Sequence, residues 1–205
     1  MREDDLATPV VTHLEAANDT VTVALEEPYD HYGNRGQVDV YARVRDPPRT
    51  DYLVELKADA AVRRATGTNE ILRQFRRMER YFYRGDDHGL RRRLGRTEPG
   101  VHLLLLFAPT ATCVDHVAAH ADLYETLDPE TTVEGVDARR TVAFPVGLDN
   151  PATLRLCSVN GRAGIDTEPF HAAVPDDSRL ADALAEAGVG VEGDADPDVS
   201  ASGDR

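Results

Sequence analysis

Lysine is almost missing from this chain. Its 205 residues include 23 Lys+Arg, and Lys57 is the only lysine among them. A sequence that uses arginine almost everywhere keeps one ammonium, a compact point charge chemically distinct from a planar guanidinium. Cysteine is scarce as well. Cys113 and Cys157 are too few for a disulfide framework, and a reduced protein is the expectation. Long apolar runs are lacking. The longest, Val101 to Pro109, has His102 inside it and is far too short to span a bilayer. No N-terminal signal pattern is visible. A secreted disulfide scaffold and a membrane partner are therefore not expected. What remains is a soluble, cytoplasmic chain long enough to bury the core of one ordinary domain.

Negative charge dominates, with a formal net charge of −14. Abundant Asp and Glu with almost no lysine resembles the composition of halophilic archaeal proteins, whose surface carboxylates keep them soluble in molar salt. The acidity is uneven. Between Arg73 and Arg96 there are nine arginines against Glu79, Asp86 and Asp87, a local excess of six positive charges. A basic island in an acidic chain asks for an anionic partner more insistently than a uniformly basic chain would.

The sole lysine lies in a short apolar run, DYLVELK at residues 51–57. In an extended strand, residues two apart point the same way, so Glu55 and Lys57 share one face and Val54 and Leu56 the other. Polar groups on a buried strand are costly without partners, which makes such a pair a candidate for chemistry. Upstream, residues 37–44 alternate as a strand, with Asp39 on the same side as Gln37, Tyr41 and Arg43. The short turn at 46–50 makes the two strands expected antiparallel neighbours, which would let Asp39 converge on Glu55.

The other elements follow from spacing. Residues 2–17 read as a helix with Leu6, Val10, Leu14 and Ala17 on one stripe. Glu3 falls on that stripe and Glu15 opposite it, and Pro9 lies within the helix and tends to kink it. A strand is expected at 21–25, and turn chemistry at 26–36 (EEPYDHYGNRG). Residues 70–84 form the best helix, capped by Thr68 or Asn69. Ile71, Phe75, Met78 and Phe82 make its buried stripe, Gln74 and Tyr81 its border, and Arg73, Arg76, Arg80 and Arg84 its open face. A doubly covered strand at 101–107, a helix at 111–127 and strands at 140–146 and 154–159 complete the pattern. The order α-β-β-β-α-β-α-β implies an α/β fold, a mixed central β-sheet flanked by helices. The expected organisation is one domain over 1–172, a helical extension over 173–187 and an acidic, disordered tail over 188–205.

Asp39, Glu55 and Lys57 together set two carboxylates and an amine on adjacent strands. Mg²⁺ takes oxygen ligands, commonly one or two carboxylates with waters and substrate phosphate. A lysine beside it can orient or deprotonate a water, or neutralise developing charge. A helix with Glu, a strand, a strand with Val-Asp-Val, a strand with Glu-Leu-Lys and a helix with Gln resembles the αβββαβ core of the PD-(D/E)XK nuclease superfamily (restriction endonuclease-like). The likeness covers roughly residues 2–110. It implies Asp39 and Glu55 as metal ligands for Mg²⁺, with Mn²⁺ as an alternative, and Lys57 as the residue orienting water. Gln74 then matches the polar residue of the helix after the third strand, and Glu3 or Glu15 the first-helix carboxylate. The proline of the motif is absent, since Gln37 and Val38 precede Asp39. The implied activity is metal-dependent hydrolysis of DNA, endo- or exonucleolytic, on a duplex or branched substrate.

Arg73, Arg76, Arg77, Arg80 and Arg84 are the candidate phosphate contacts along DNA, and a solvated helix face is the bland alternative. A homodimer is compatible with the sequence. For Glu55 the bland alternative is a cross-strand salt bridge to an arginine, with Lys57 reaching solvent. A catalytically inactive module that binds DNA or a protein is the alternative function. A third reading is a zinc site from Cys113, His116 and His120 with Cys157. His31 and Tyr32 sit in a loop that could approach substrate, and Tyr81 and Tyr83 could stack on bases.

Overall fold

The computed structural model describes residues 1–17, 19–31, 34–45, 50–64, 67–84, 100–125, 127, 130–133, 136–150 and 154–160. The expected helical extension and acidic tail lie outside the described residues, as do Tyr32 and the segment 85–99.

Twelve described elements run in the order α1 (Glu3–Ala17), β1 (Val21–His31), β2 (Asn34–Val44), β3 (Thr50–Lys57), α2 (Asp59–Val62), α3 (Gly67–Arg84), β4 (Gly100–Phe107), α4 (Ala111–Ala119), α5 (Ala121–Glu125), β5 (Glu130–Val133), β6 (Val136–Val146) and β7 (Arg155–Ser158). The strands form one seven-stranded sheet in the order β1-β2-β3-β4-β6-β5, with β7 also paired to β6. β1, β2 and β3 are antiparallel neighbours. β3, β4 and β6 are parallel, as strands joined by helical crossovers are. β5 and β7 each run antiparallel to β6. This is the mixed, helix-flanked α/β sheet expected from the element order.

The stripe of α1 packs as its spacing predicts, with Leu6, Val10 and Leu14 fully buried. Pro9 is tolerated inside α1 and is itself buried. β4 is buried along its length, from Val101 to Phe107. Its one polar residue, His102, packs edge-on against Tyr52, with ring centroids 5.0 Å apart. Burial, reinforced by the nearby Arg139 charge, pushes the His102 imidazole down to about 4, so it is a neutral core residue at physiological pH.

Several expectations are corrected. Residues 26–36 are not a turn throughout: β1 continues to His31 and β2 begins at Asn34, with pairing out to His31↔Asn34. Pro28 fits because β1 is an edge strand, where a missing N–H need not break a ladder. α3 starts at Gly67, which puts Thr68 and Asn69 inside its first turn, not at its cap. The helix expected at 111–127 is two, broken at His120, whose φ and ψ are −129° and 26°. Thr110, which precedes it, is a true N-cap, its side chain accepting from the Cys113 N–H at 3.3 Å. α2 and β5 had no counterpart in the sequence reading: four residues each are too short for periodicity to reveal.

Candidate active site

β3 lies where the antiparallel and parallel halves of the sheet meet, and its two ladders end at different places. Pairing with β2 stops at Val40↔Val54, whereas pairing with β4 runs on to Lys57↔Phe107. The end of β3 is therefore held on one side only, and the sheet opens there. Backbone donors at such a split still need acceptors. The Leu56 N–H donates to Asp39 Oδ2 at 2.6 Å, a side chain standing in for the missing strand.

Asp39 and Glu55 lie near enough at the split for their charges to be felt by one another, and Lys57 is bonded to Glu55. Lys57 Nζ donates to Glu55 Oε1 at 2.7 Å and to the Leu56 carbonyl at 3.0 Å. Glu55 is 0% exposed and Lys57 5%. The second oxygen, Glu55 Oε2, is buried without a hydrogen-bond partner. Leaving such an atom unsatisfied is costly, and it marks a place where a ligand would be welcome.

The electrostatics point the same way. Burial pushes the Glu55 carboxyl up to about 7, Lys57 pulling it down and the charges of Asp39 and Glu3 adding to the rise. Asp39 is likewise raised by burial, with Lys57 and the Leu56 N–H opposing and Glu3 and Glu26 reinforcing. Two carboxylates that resist ionisation side by side are a low-energy seat for a divalent cation, which removes the repulsion and repays the desolvation.

An open cleft of about 460 Å³ adjoins the pair. Its walls include Glu3, Asp39, Lys57 and Gln74, four of the residues singled out from the sequence. Glu55 is not among the lining residues, although its partner Lys57 is. Glu15 is exposed and away from the cleft, so of the two first-helix candidates Glu3 is the one beside it. α3 turns Gly67, Glu70, Ile71 and Gln74 to the cleft at helical spacing. Its described arginine side chains look elsewhere. Arg73 and Arg76 are exposed and Arg77 half-buried, none lines the cleft, and Arg73 is paired with Glu70. The side chains of Arg80, Tyr81, Tyr83, Arg84 and His31 lie outside the described residues.

Three residues went unnoticed in the sequence. Arg64 and Arg2 line the cleft. Arg64 escaped because α2, the element that places it, is too short to predict. Glu26 stands opposite Asp39 in the β1–β2 register, between Leu25↔Val40 and Glu27↔Val38, with a left-handed φ of 50°. Nothing in the sequence signals a strained glutamate mid-strand.

The bland alternatives are also resolved in geometry. The cross-strand arginine pair of these strands is Arg43 with Asp51, bonded at 2.7 and 3.2 Å, and does not involve Glu55. The zinc cluster does not form. Cys113 Sγ lies 3.6 Å from Asp59 Oδ1, His116 Nε2 bonds Tyr124 Oη at 3.0 Å, and His120 Nδ1 bonds the His116 carbonyl at 2.8 Å. Cys157 lies on β7, paired with Phe144 of β6. Among the described residues no three His, Cys, Asp or Glu side chains group closely enough to hold a metal by themselves. Asp39 and Glu55 are two, which is the number Mg²⁺ commonly takes from a protein before waters and phosphate complete its shell.

A mixed sheet split at an Asp, with Glu-x-Lys on the next strand and Gln on the following helix, is a nuclease-type α/β fold. A family model for the PD-(D/E)XK nuclease superfamily domain matches residues 1–188, and the chain belongs to that superfamily. No curated protein and no solved structure matches it. Membership makes a nuclease-type function and a nucleic-acid substrate the general expectation, and divalent metal use is typical of the superfamily. Among the described residues no helix is long and apolar enough to cross a membrane.

Proposed function

We propose that this chain hydrolyses phosphodiester bonds of DNA with Mg²⁺ or Mn²⁺ held by Asp39 and Glu55. The observation that carries the reading is the unpartnered, buried Glu55 Oε2 next to a second carboxylate that a backbone N–H holds in place. The residues present fit a hard divalent cation in ligand type and number. When bound, such an ion supplies positive charge for the transferring phosphate and acidifies a water.

The side chains divide the remaining work. Lys57, whose ammonium is fixed by Glu55 Oε1 and the Leu56 carbonyl, lines the cleft. A donor so placed orients the attacking water or a phosphate oxygen, and it balances the charge that builds as the P–O bond to the leaving oxygen breaks. The Gln74 amide, on the wall of the same cleft, donates and accepts at once and suits the positioning of a water. Glu3 adds a further carboxylate to the lining, close enough for its charge to act on Asp39 and Glu55. Arg73, Arg76, Arg77, Arg80 and Arg84 belong to the reading as contacts with phosphates beyond the cleft.

The test is nicking of supercoiled and branched DNA in high KCl with Mg²⁺ or Mn²⁺. Wild type is expected to cut, with Asp39→Ala and Lys57→Ala near background. Equal residual activity in all three would overturn the reading.

One observation favours a second reading, a nuclease-fold module that binds DNA or a protein without cutting. The 2.7 Å Lys57–Glu55 contact leaves both groups already engaged with each other. Such a module would bind its partner equally well with and without Mg²⁺, and Asp39→Ala would not change that.

A further inference from the structure

We infer that Arg64 is the side chain that grips a substrate phosphate at the cleft, an inference that rests on the hydrolytic reading above. The cleft needs such a cation. Among the described residues that line it, the acidic Glu3, Asp4, Asp39 and Glu70 accompany three basic side chains, Arg2, Lys57 and Arg64, and the Met1 ammonium, which is paired with Asp59 at 3.5 Å. Two of the three Lys57 N–H donors go to Glu55 and a carbonyl, which leaves one for the reacting water or phosphate oxygen and none for a second phosphate. Arg2 is drawn to Asp5, its Nη2 3.8 Å from Oδ1 and its backbone N–H donating to Oδ2 at 2.7 Å. Glu70 is neutralised from outside by Arg73. Arg64 is exposed, and no ion pair engages it among the described residues.

Its position is built. Arg64 lies in the four-residue link between α2 and α3, and the Gly67 N–H donates to its carbonyl at 2.8 Å. A Cβ on Gly67 would lie 2.9 Å from the Ala61 carbonyl oxygen and 3.2 Å from that of Val62, so only glycine lets the two helices approach this closely. Ala58, Ala60 and Ala61, which lie between Lys57 and Arg64 in sequence, also line the cleft, and their side chains are small enough for a sugar-phosphate backbone to come near. The Arg64 guanidinium has the planar fork that matches phosphate oxygens.

The arrangement assigns different work to the two arginine sets. Arg64 contacts a phosphate inside the cleft, whereas Arg73, Arg76 and Arg77 of α3 do not line it. The chain therefore binds DNA by cleft contacts even where its net charge of −14 opposes approach.

The experiment measures binding of a fluorescein-labelled duplex by anisotropy across a KCl titration, in EDTA so that nothing is cut. Arg64→Ala is expected to weaken binding about tenfold and to lower the slope of log K against log[KCl] by about 0.9, one phosphate contact. Arg64→Lys is expected to restore the slope while recovering only part of the affinity, because the charge returns without the fork. An Arg64→Ala protein with unchanged affinity and slope overturns the inference while leaving the hydrolytic reading intact. A wild type that shows no salt-dependent DNA binding overturns this inference as well, whereas the hydrolytic reading stands or falls by the nicking test with Mg²⁺ or Mn²⁺.

Discussion

The Asp39 carboxylate accepts the Leu56 N–H at 2.6 Å at the point where the β2–β3 ladder has stopped. One side chain thus both closes the sheet's hydrogen bonding and fixes a candidate ligand against Glu55. The two duties separate by mutation. Asp39→Ala strands the Leu56 donor and is expected to cost about 1–3 kcal/mol in urea denaturation. Asp39→Asn keeps an acceptor and is expected to cost clearly less while equally abolishing nicking. Equal destabilisation by the two variants would show that the N–H bond is not what Asp39 contributes to the fold.

Glu55 ties stability to pH. Its carboxyl, ordinarily near 4.5, is raised to about 7 in the fold, chiefly by burial. A folded value above the unfolded one means the fold binds the proton more tightly. Its contribution is then fully present below about pH 4.5 and lost as pH rises through about 7. Without divalent cation, the difference in unfolding free energy between wild type and Glu55→Gln should change by roughly 3 kcal/mol at most across that window, wild type losing ground as pH rises. Parallel stability curves for the two proteins would contradict the raised value.

Gly67 is the hinge of the cleft's far wall. Gly67→Ala places a methyl 2.9 Å from a backbone carbonyl oxygen that cannot swing aside. The expected cost is about 1–3 kcal/mol, read from the urea midpoint. An unchanged midpoint would mean that α2 and α3 part without penalty.

Glu26 holds a backbone conformation that only glycine adopts freely. Glu26→Gly should relieve about 1 kcal/mol of left-handed strain and raise the melting temperature, whereas Glu26→Ala should not. A stabilisation shared by both variants would trace to the lost charge beside Asp39, not to the backbone.

Much of this was legible because strands impose a period of two. That period put Glu55 and Lys57 on one face and Asp39 beside them, and the stripe of α1 separated Glu3 from Glu15. The sole-lysine count pointed to the same strand. What escaped reading was set by contacts, not by pattern. Arg64 is placed by a four-residue helix that has no time to show periodicity. The long β1–β2 hairpin hid behind Gly, Asn, Asp and Pro because an edge strand tolerates residues a central strand does not. On α3 the helical spacing already set Gln74 on the border of the buried stripe and apart from the arginines, and Gln74 lines the cleft while Arg73, Arg76 and Arg77 do not.

The central claim is that Asp39 and Glu55 jointly seat a divalent cation. Calorimetric titration of Mn²⁺ into the metal-free protein tests it most directly, alongside Asp39→Asn and Glu55→Gln. The account predicts saturable binding in wild type, lost in both variants while their folds persist by circular dichroism. Binding that survives in both variants, or no binding in wild type, would contradict it.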